Sequence, residues 1–377
     1  MKIEKIERIA CRLPLKQPFV TSYGQLTEKA FDLYLVTTED KTMGIGELVA
    51  FEQPDYIEET LFSARQVIET ALIPLLIDQE IEHPQEVCQL FQTVQGNYMA
   101  KSALETAIWD LYGKQTHQSV KELYTATRPS VAVGVSLGIQ DSVEKLVALV
   151  AAYVAQGYQR IKLKIKPGQD LVPLRAIRQT FPELLLMADA NGAYQSEPER
   201  ILALDDLGLV MIEQPLKVRD LVGHSQLQRQ MKTPLCLDED IRTAEDVDTV
   251  AALDSCRAIN LKIPRVGGIT EALRILDRCQ THGLLVWLGG MFESGVGRAM
   301  NLQFASQDIF HFPGDLSASD RYFYDDVITQ PATLHEGKLL VPDGKGFGIT
   351  LAETKLSQYG QPKECIYSRK RSAKKKQ

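Results

Sequence analysis

Five ionisable residues close successive short apolar runs between positions 160 and 263 of this 377-residue chain. RIKLKI ends in Lys162-Leu163-Lys164, LLLMAD leads into Asp189-Ala190-Asn191, and LVMIEQ into Glu213-Gln214. PLCLDE leads into Asp238-Glu239-Asp240, and AINLKI ends at Lys262. One charge at a strand end is ordinarily a solvated rim residue. A succession of Lys, Asp, Glu, Asp and Lys at five consecutive ends is hard to explain that way. Three acids drawn to one spot raise each other's pKa unless a cation lies among them. Oxygen-only donors suit a hard ion such as Mg²⁺, which keeps positions for water or substrate, and the same donors accept Mn²⁺. The six histidines and six cysteines are dispersed, with no H-E-x-x-H and no C-x-x-C, which argues against zinc, iron or a disulfide framework.

The chemistry that needs such a set is removal of a proton beside a carboxylate. That proton is very weakly acidic, and its loss places two negative charges on one enediolate. A divalent ion with flanking ammonium groups stabilises that charge as it develops. A lysine near another cation has a lowered pKa, so a neutral amine base near working pH becomes accessible. Strand side chains alternate, so Lys162 points the same way as Lys164 and is placed to depress its pKa. Asn191, Glu239 and Asp240 fall where groups supporting the metal carboxylates are expected.

The elements that would position these residues follow a rhythm from residue 131 onward. Apolar runs occur at 131–139, 160–165, 184–189, 209–214, 234–239, 258–263, 284–290 and, more weakly, 308–312. Stretches with helical periodicity lie between them, such as 141–157 and 270–283, closed by Gly157 and Gly283 as helices often are. A repeat of about 25 residues is one βα unit, and eight strands buried on both faces describe a (β/α)₈-type barrel. An open doubly wound sheet would ordinarily carry G-x-G-x-x-G after its first strand, and none is present. Residues 1–130 differ: alternating segments such as FDLYLVTTED precede helical stretches, predicting an α+β capping domain. The barrel is expected over 131–324, and 325–368 is expected to return to the first domain. Residues 369–377 form a basic tail, read as a solvated terminus.

Here the motifs reach a known family. K-x-K, D-A-N, E-Q-P, D-E and N-x-K on consecutive strands resemble the muconate-lactonizing subgroup of the enolase superfamily, whose sites pair a Lys or His base with Mg²⁺. The resemblance implies a (β/α)7β modified TIM barrel with an α+β capping domain. No His follows the seventh run, which argues against the mandelate-racemase subgroup. RIKLKIKPGQD (160–170), LKIPRVGGI (261–269), LGGMFESGVGR (288–298) and FPGDLSASDRYF (312–323) are similar to the o-succinylbenzoate synthase and N-acylamino acid racemase branch. PFVTSYG (18–24) resembles that branch's mobile loop over the active site.

Carried over by position, the resemblance implies Asp189, Glu213 and Asp238 as metal ligands, Lys164 as base and Lys262 on the opposite face. It implies a Mg²⁺-dependent syn dehydration of 2-succinyl-6-hydroxy-2,4-cyclohexadiene-1-carboxylate to 2-succinylbenzoate, in menaquinone biosynthesis. N-acylamino acid racemisation, or both activities, uses the same site. A dipeptide epimerase is disfavoured, since those carry acidic pairs after the eighth strand where P-G-D-L-S-A-S stands here. An inactive binding protein would be expected to have lost one of the five strand-end residues. Ser136 either contacts substrate or is a rim residue. Phe19 and Tyr23 either cap the substrate or pack between domains. Met291 and Phe292 read as pocket wall or core, and Arg265 either tunes Lys262 or pairs with a surface acid.

Composition bounds the partners. Hydrophobic residues are 44% and charged residues 24%, as in ordinary globular proteins. Net charge is −7, and the last ten residues carry six positive charges, so the body is near −13 and a poor nucleic-acid binder. No run of 18 apolar residues exists to span a bilayer, and MKIEKIERIACRLPL has no apolar signal core, so a cytoplasmic enzyme acting on a small carboxylate is expected. Self-association is common among such barrels, which makes a homo-oligomer compatible with the sequence.

Overall fold

The computed structural model describes residues 1–20 and 25–369. Tyr23 and nearly all of the basic tail therefore lie outside the described residues. The alternating N-terminal residues form an antiparallel sheet of β1 (Ile3–Val20), β2 (Gln25–Thr38) and β3 (Met43–Leu48). Period-two alternation divides β2 between two cores. Phe31, Leu33 and Leu35 pack with Ile9, Cys11 and Leu13 of β1, whereas Tyr34 and Val36 join the opposite core. That second core contains Ala103, Leu104, Ala107 and Leu111 of helix α1 (Tyr98–Thr116). The helix lies close because β3 carries glycine beneath it: a Cβ on Gly46 would stand 2.0 Å from the Ala103 carbonyl oxygen.

The second half builds βα units in sequence order. They comprise β4 (Ser130–Ala132), β5 (Gly134–Leu137), α2 (Val143–Ala155), β6 (Arg160–Lys164), α3 (Leu171–Thr180), β7 (Leu185–Asp189) and β8 (Ile212–Glu213). There follow α4 (Leu221–Gln228), β9 (Leu235–Leu237), α5 (Ala244–Leu253), β10 (Ala258–Leu261), α6 (Ile269–His282), β11 (Leu285–Leu288) and α7 (Gly295–Ala305). Strands β5 to β11 pair in parallel as one seven-stranded sheet in sequence order. Gly157 and Gly283, at φ 95° and 66°, end α2 and α6 in the left-handed conformation that glycine tolerates. Beyond the barrel come β12 (Leu334–His335), β13 (Lys338–Leu340) and β14 (Glu364–Ser368), and β14 pairs antiparallel with β1 in the N-terminal sheet.

Three details depart from the sequence expectation. The run 131–139 splits, because Ser130–Ala132 pairs with β13 while β5 begins at Gly134. The interval after β7 holds a 3₁₀ segment, Pro198–Leu207, bounded by proline and by Gly208 at φ 62°. The barrel closes not at 308–312 but just after it. There the Gly314 carbonyl accepts from Gly134 N at 2.8 Å, and Asp315 N donates to the Leu288 carbonyl at 2.8 Å. A Cβ on Gly314 would meet that Leu288 oxygen at 2.8 Å, so the closing residue must be small. Phe310 and Phe312 supply the apolar signal but lie on an irregular segment, Phe310 buried and Phe312 half-buried against the cores. Among the described residues no helix is long and apolar enough to cross a membrane.

Capping domain and barrel are joined by a buried carboxylate. Glu105 of α1 accepts from Ile269 N (2.9 Å), Thr270 N (2.9 Å), Thr270 Oγ1 (2.5 Å) and Trp109 Nε1 (2.7 Å). It thus caps the start of α6 from another element, just beyond the loop that follows Lys262. Glu105→Ala strands these donors in an apolar setting. The expected loss is about 2–4 kcal/mol of folding stability, read by denaturant unfolding, with Glu105→Gln recovering part of it.

Candidate active site

An eight-membered ring sets the geometry. With the segment at Gly314 counted, β6 and β10 lie four positions apart, so Lys164 and Lys262 stand on opposite sides of the barrel mouth. Between them β7, β8 and β9 deliver Asp189, Glu213 and Asp238. Along β6 the alternation turns Ile161 and Leu163 outward into the helix-packed core, which leaves Arg160, Lys162 and Lys164 facing inward. Register pairs Lys164 with Asp189 and Asp189 with Glu213, so these groups are neighbours by construction.

The carboxylates are fully buried, and each is engaged by a lysine. Lys164 Nζ lies 2.7 Å from Asp189 Oδ2 and 2.6 Å from Asn191 Oδ1. Lys162 Nζ lies 2.8 Å from Glu213 Oε2 and 3.0 Å from Asp189 Oδ2. Lys262 Nζ lies 2.7 Å from Asp238 Oδ2 and donates to Tyr56 Oη at 2.8 Å. Supporting groups complete the set: Asn260 Nδ2 donates to Glu213 Oε1 (2.7 Å), and Asn191 Nδ2 to Glu239 Oε1 (2.9 Å). Gln214 Nε2 donates to Asp240 Oδ2 (2.7 Å), farther back.

Charge balance follows from this packing. Burial pushes the Glu213 carboxyl up to about 7, reinforced by Asp189 and opposed by Lys162. Burial and then Asp238 push Glu239 up to about 8. Burial would also raise Asp238, but Lys262 and Arg265 hold it below the usual carboxylate range. For Lys162 burial works against the charge, yet Asp189, Glu213 and Asp315 together hold its pKa well above normal.

These residues fit a hard divalent ion in donor type, in burial and in their places on three consecutive strand ends. Glu239 Oε2 is in addition buried without a hydrogen-bond partner. Among the described residues no three acids, histidines or cysteines converge tightly enough to hold an ion as they stand, because the oxygens are turned onto the lysines.

A cavity of about 50 Å³ opens on this cluster, lined by Lys162, Lys164, Lys262, Ser136, Asp315 and Met291 among others. Phe19 also lines it and meets Phe292 edge-on at 4.9 Å between ring centroids. Of the described residues singled out above, Phe19, Ser136, Lys162, Lys164, Lys262, Met291 and Phe292 line it. Asp189, Glu213 and Asp238 reach it only through the lysines bonded to them, and Asn191, Glu239, Asp240 and Arg265 are not part of the lining. Arg265 is buried rather than paired at the surface: its Nη2 donates to the Asp238 carbonyl at 2.8 Å, and its Nε lies 3.5 Å from Asp238 Oδ1.

Tyr56, Asn260 and Asp315 are additions that the reading of individual residues passed over. Asn260 was visible as the first letter of N-x-K, two residues before Lys262 and hence on the same face. Tyr56 gave no signal, since it comes from the capping domain.

Comparison with known proteins agrees with this geometry. Residues 5–124 match the family described as mandelate racemase / muconate lactonizing enzyme, N-terminal domain, and residues 145–355 match enolase C-terminal domain-like. The chain is 56% identical to an o-succinylbenzoate synthase of Enterococcus faecalis, covering 96% of this chain and 99% of that one. It is 40% identical to an N-succinylamino acid racemase of Thermus thermophilus, covering 93% and 95% respectively. A crystal structure of an enolase-superfamily member from Listeria innocua superposes with a TM-score of 0.94 at 46% identity, covering 97% of this chain and 100% of that one. With both halves matched, and with paired lysines facing each other across three strand-end carboxylates, the chain belongs to the enolase superfamily.

Proposed function

We propose that this protein is an o-succinylbenzoate synthase, a hydro-lyase that converts 2-succinyl-6-hydroxy-2,4-cyclohexadiene-1-carboxylate to 2-succinylbenzoate and water. The observation that carries the reading is the placement of Lys164 and Lys262 on opposite sides of one cavity, with three buried carboxylates between them. Asp189, Glu213 and Asp238 would hold Mg²⁺, or Mn²⁺ in its place. A divalent ion bound there supplies Lewis-acid stabilisation for the second negative charge that develops on the substrate carboxylate.

The protein's own groups do the rest. Lys164 Nζ, as a neutral amine, takes the proton from the carbon bearing the carboxylate. Electron density moves onto the carboxylate and gives an enediolate, whose added charge the Lys262 ammonium faces from the other side. The Lys164 ammonium then returns its proton to the departing hydroxyl on the same face. Water leaves, the ring becomes aromatic, and Lys164 is again neutral. Lys162 is placed to orient the substrate carboxylate, and Asn191 and Glu239 to hold the metal carboxylates. Phe19, Phe51, Met291 and Phe292 supply apolar walls for the ring and exclude water.

The same opposed lysines support a second reading, racemisation of N-succinylamino acids, in which each lysine serves one face of the α carbon. The similarity to the Thermus thermophilus racemase favours keeping it. A cytoplasmic place in menaquinone biosynthesis follows from the synthase reading. The test is a pair of assays on purified chain with Mg²⁺: appearance of 2-succinylbenzoate, and α-proton exchange of an N-succinylamino acid in D₂O. The expected result is strong dehydration. Exchange without dehydration would replace the synthase reading by the racemase, and comparable rates would make the enzyme bifunctional.

A further inference from the structure

Asp315 sits on the barrel-closing segment, lines the cavity and has no part in the steps above. Its surroundings are unusual for an acid at a barrel rim. Ser136 Oγ donates to Asp315 Oδ2 at 2.5 Å, and the fully buried Arg160 reaches Asp315 Oδ1 at 3.4 Å. Arg160 lies over the Trp287 ring at 5.3 Å, and Lys162 lies over the same ring at 5.1 Å. Lys162 Nζ is then 3.2 Å from Asp315 Oδ2, in addition to its contacts with Asp189 and Glu213. Burial would raise the Asp315 carboxyl, but Lys162 and Arg160 hold it well below the usual range, so it is a carboxylate.

A divalent ion and an ammonium group compete for the same oxygens. Lys162 now shares itself among three carboxylates, two of which are assigned above to the ion. If those two were its only partners, metal entry would strand a buried ammonium, which is strongly unfavourable. A third carboxylate, fixed by Ser136 and Arg160, removes that obstacle.

We propose that Asp315 is a positioning residue that keeps Lys162 as its ion-pair partner when Asp189 and Glu213 take a divalent cation. The ammonium then needs no new partner and stays oriented at the cavity wall. The inference rests on the metal assignment made under the proposed function, and not on the identity of the substrate.

Mg²⁺ binding by the full chain, titrated calorimetrically without substrate, tests it. Asp315→Asn is expected to weaken Mg²⁺ binding about tenfold or more, a step of one decade in Kd, and Asp315→Glu to recover part of the loss. In a Lys162→Met background the same Asp315→Asn change is expected to matter by less than about twofold, because no ammonium remains to be held. Wild-type affinity in Asp315→Asn overturns the proposal. So does an equal loss with and without Lys162, which would make Asp315 a source of negative field only. Should Asp315→Asn fail to fold, Asp315→Ser decides: weakened Mg²⁺ binding supports the proposal, and wild-type affinity overturns it. Wild-type chain that binds Mg²⁺ but turns over neither substrate sinks the substrate assignment alone. Active wild type with unaltered Mg²⁺ binding in the variant sinks this inference alone.

Discussion

Lys164→Ala is expected to reduce kcat for dehydration by roughly 10³- to 10⁴-fold, at the upper end of what a positioned acid–base group contributes. The reason is that one amine performs both transfers. It removes the α proton and then delivers it to the leaving hydroxyl on the same face, so its loss raises two barriers with one substitution. The side chain also lies 2.7 Å from Asp189 Oδ2, so the measurement needs a control for metal binding. If Lys164 acts as proposed, Mg²⁺ affinity of the variant stays equal to or tighter than wild type, since an ammonium competing for Asp189 is gone. KM is then expected to change far less than kcat, as befits an interaction made in the transition state. A variant with nearly full dehydration would remove Lys164 from the mechanism and move the base to the opposite lysine.

The residues that carry this expectation were readable because strand geometry is simple. An apolar run that ends in Lys-x-Lys must turn both lysines one way and its Ile and Leu the other, and β6 does so. Equal spacing then places Asp189, Glu213 and Asp238 on successive strands between the two lysines. What the sequence could not carry is whatever depends on contacts between distant segments. Tyr56 reaches Lys262 from 206 positions away, and no periodicity announces it. Asp315 was hidden for another reason. The apolar run at 308–312 imitates a strand, although its phenylalanines lie on an irregular segment packed against the cores, and it masks the true closing residues two positions later. An irregular segment and a strand cannot be separated by hydrophobicity alone in a run this short. The hold of lysine ammonium groups on all three carboxylates was equally invisible, because it is set by side-chain rotamers rather than by spacing.

Lys262→Met is the substitution that separates the two activities. In dehydration Lys262 keeps its charge and faces the enediolate, and losing such a stabilising donor typically costs about 10²–10³ in kcat. In racemisation it must itself exchange a proton with one face of the α carbon, so its loss removes the interconversion altogether. Exchange of the α proton in D₂O is then expected to persist for the enantiomer that presents its proton to Lys164 and to vanish for the other. Asp238 retains Arg265 at 3.5 Å and a hydrogen bond from Tyr56 at 3.1 Å, so the site loses one cation without leaving that carboxylate alone. Burial opposes the Lys262 charge, but Asp238 and Glu213 raise its pKa above the ordinary lysine value. A Lys262→Met enzyme that still interconverts both enantiomers would show that Lys164 alone reaches both faces, and the opposed-lysine geometry would no longer explain the chemistry.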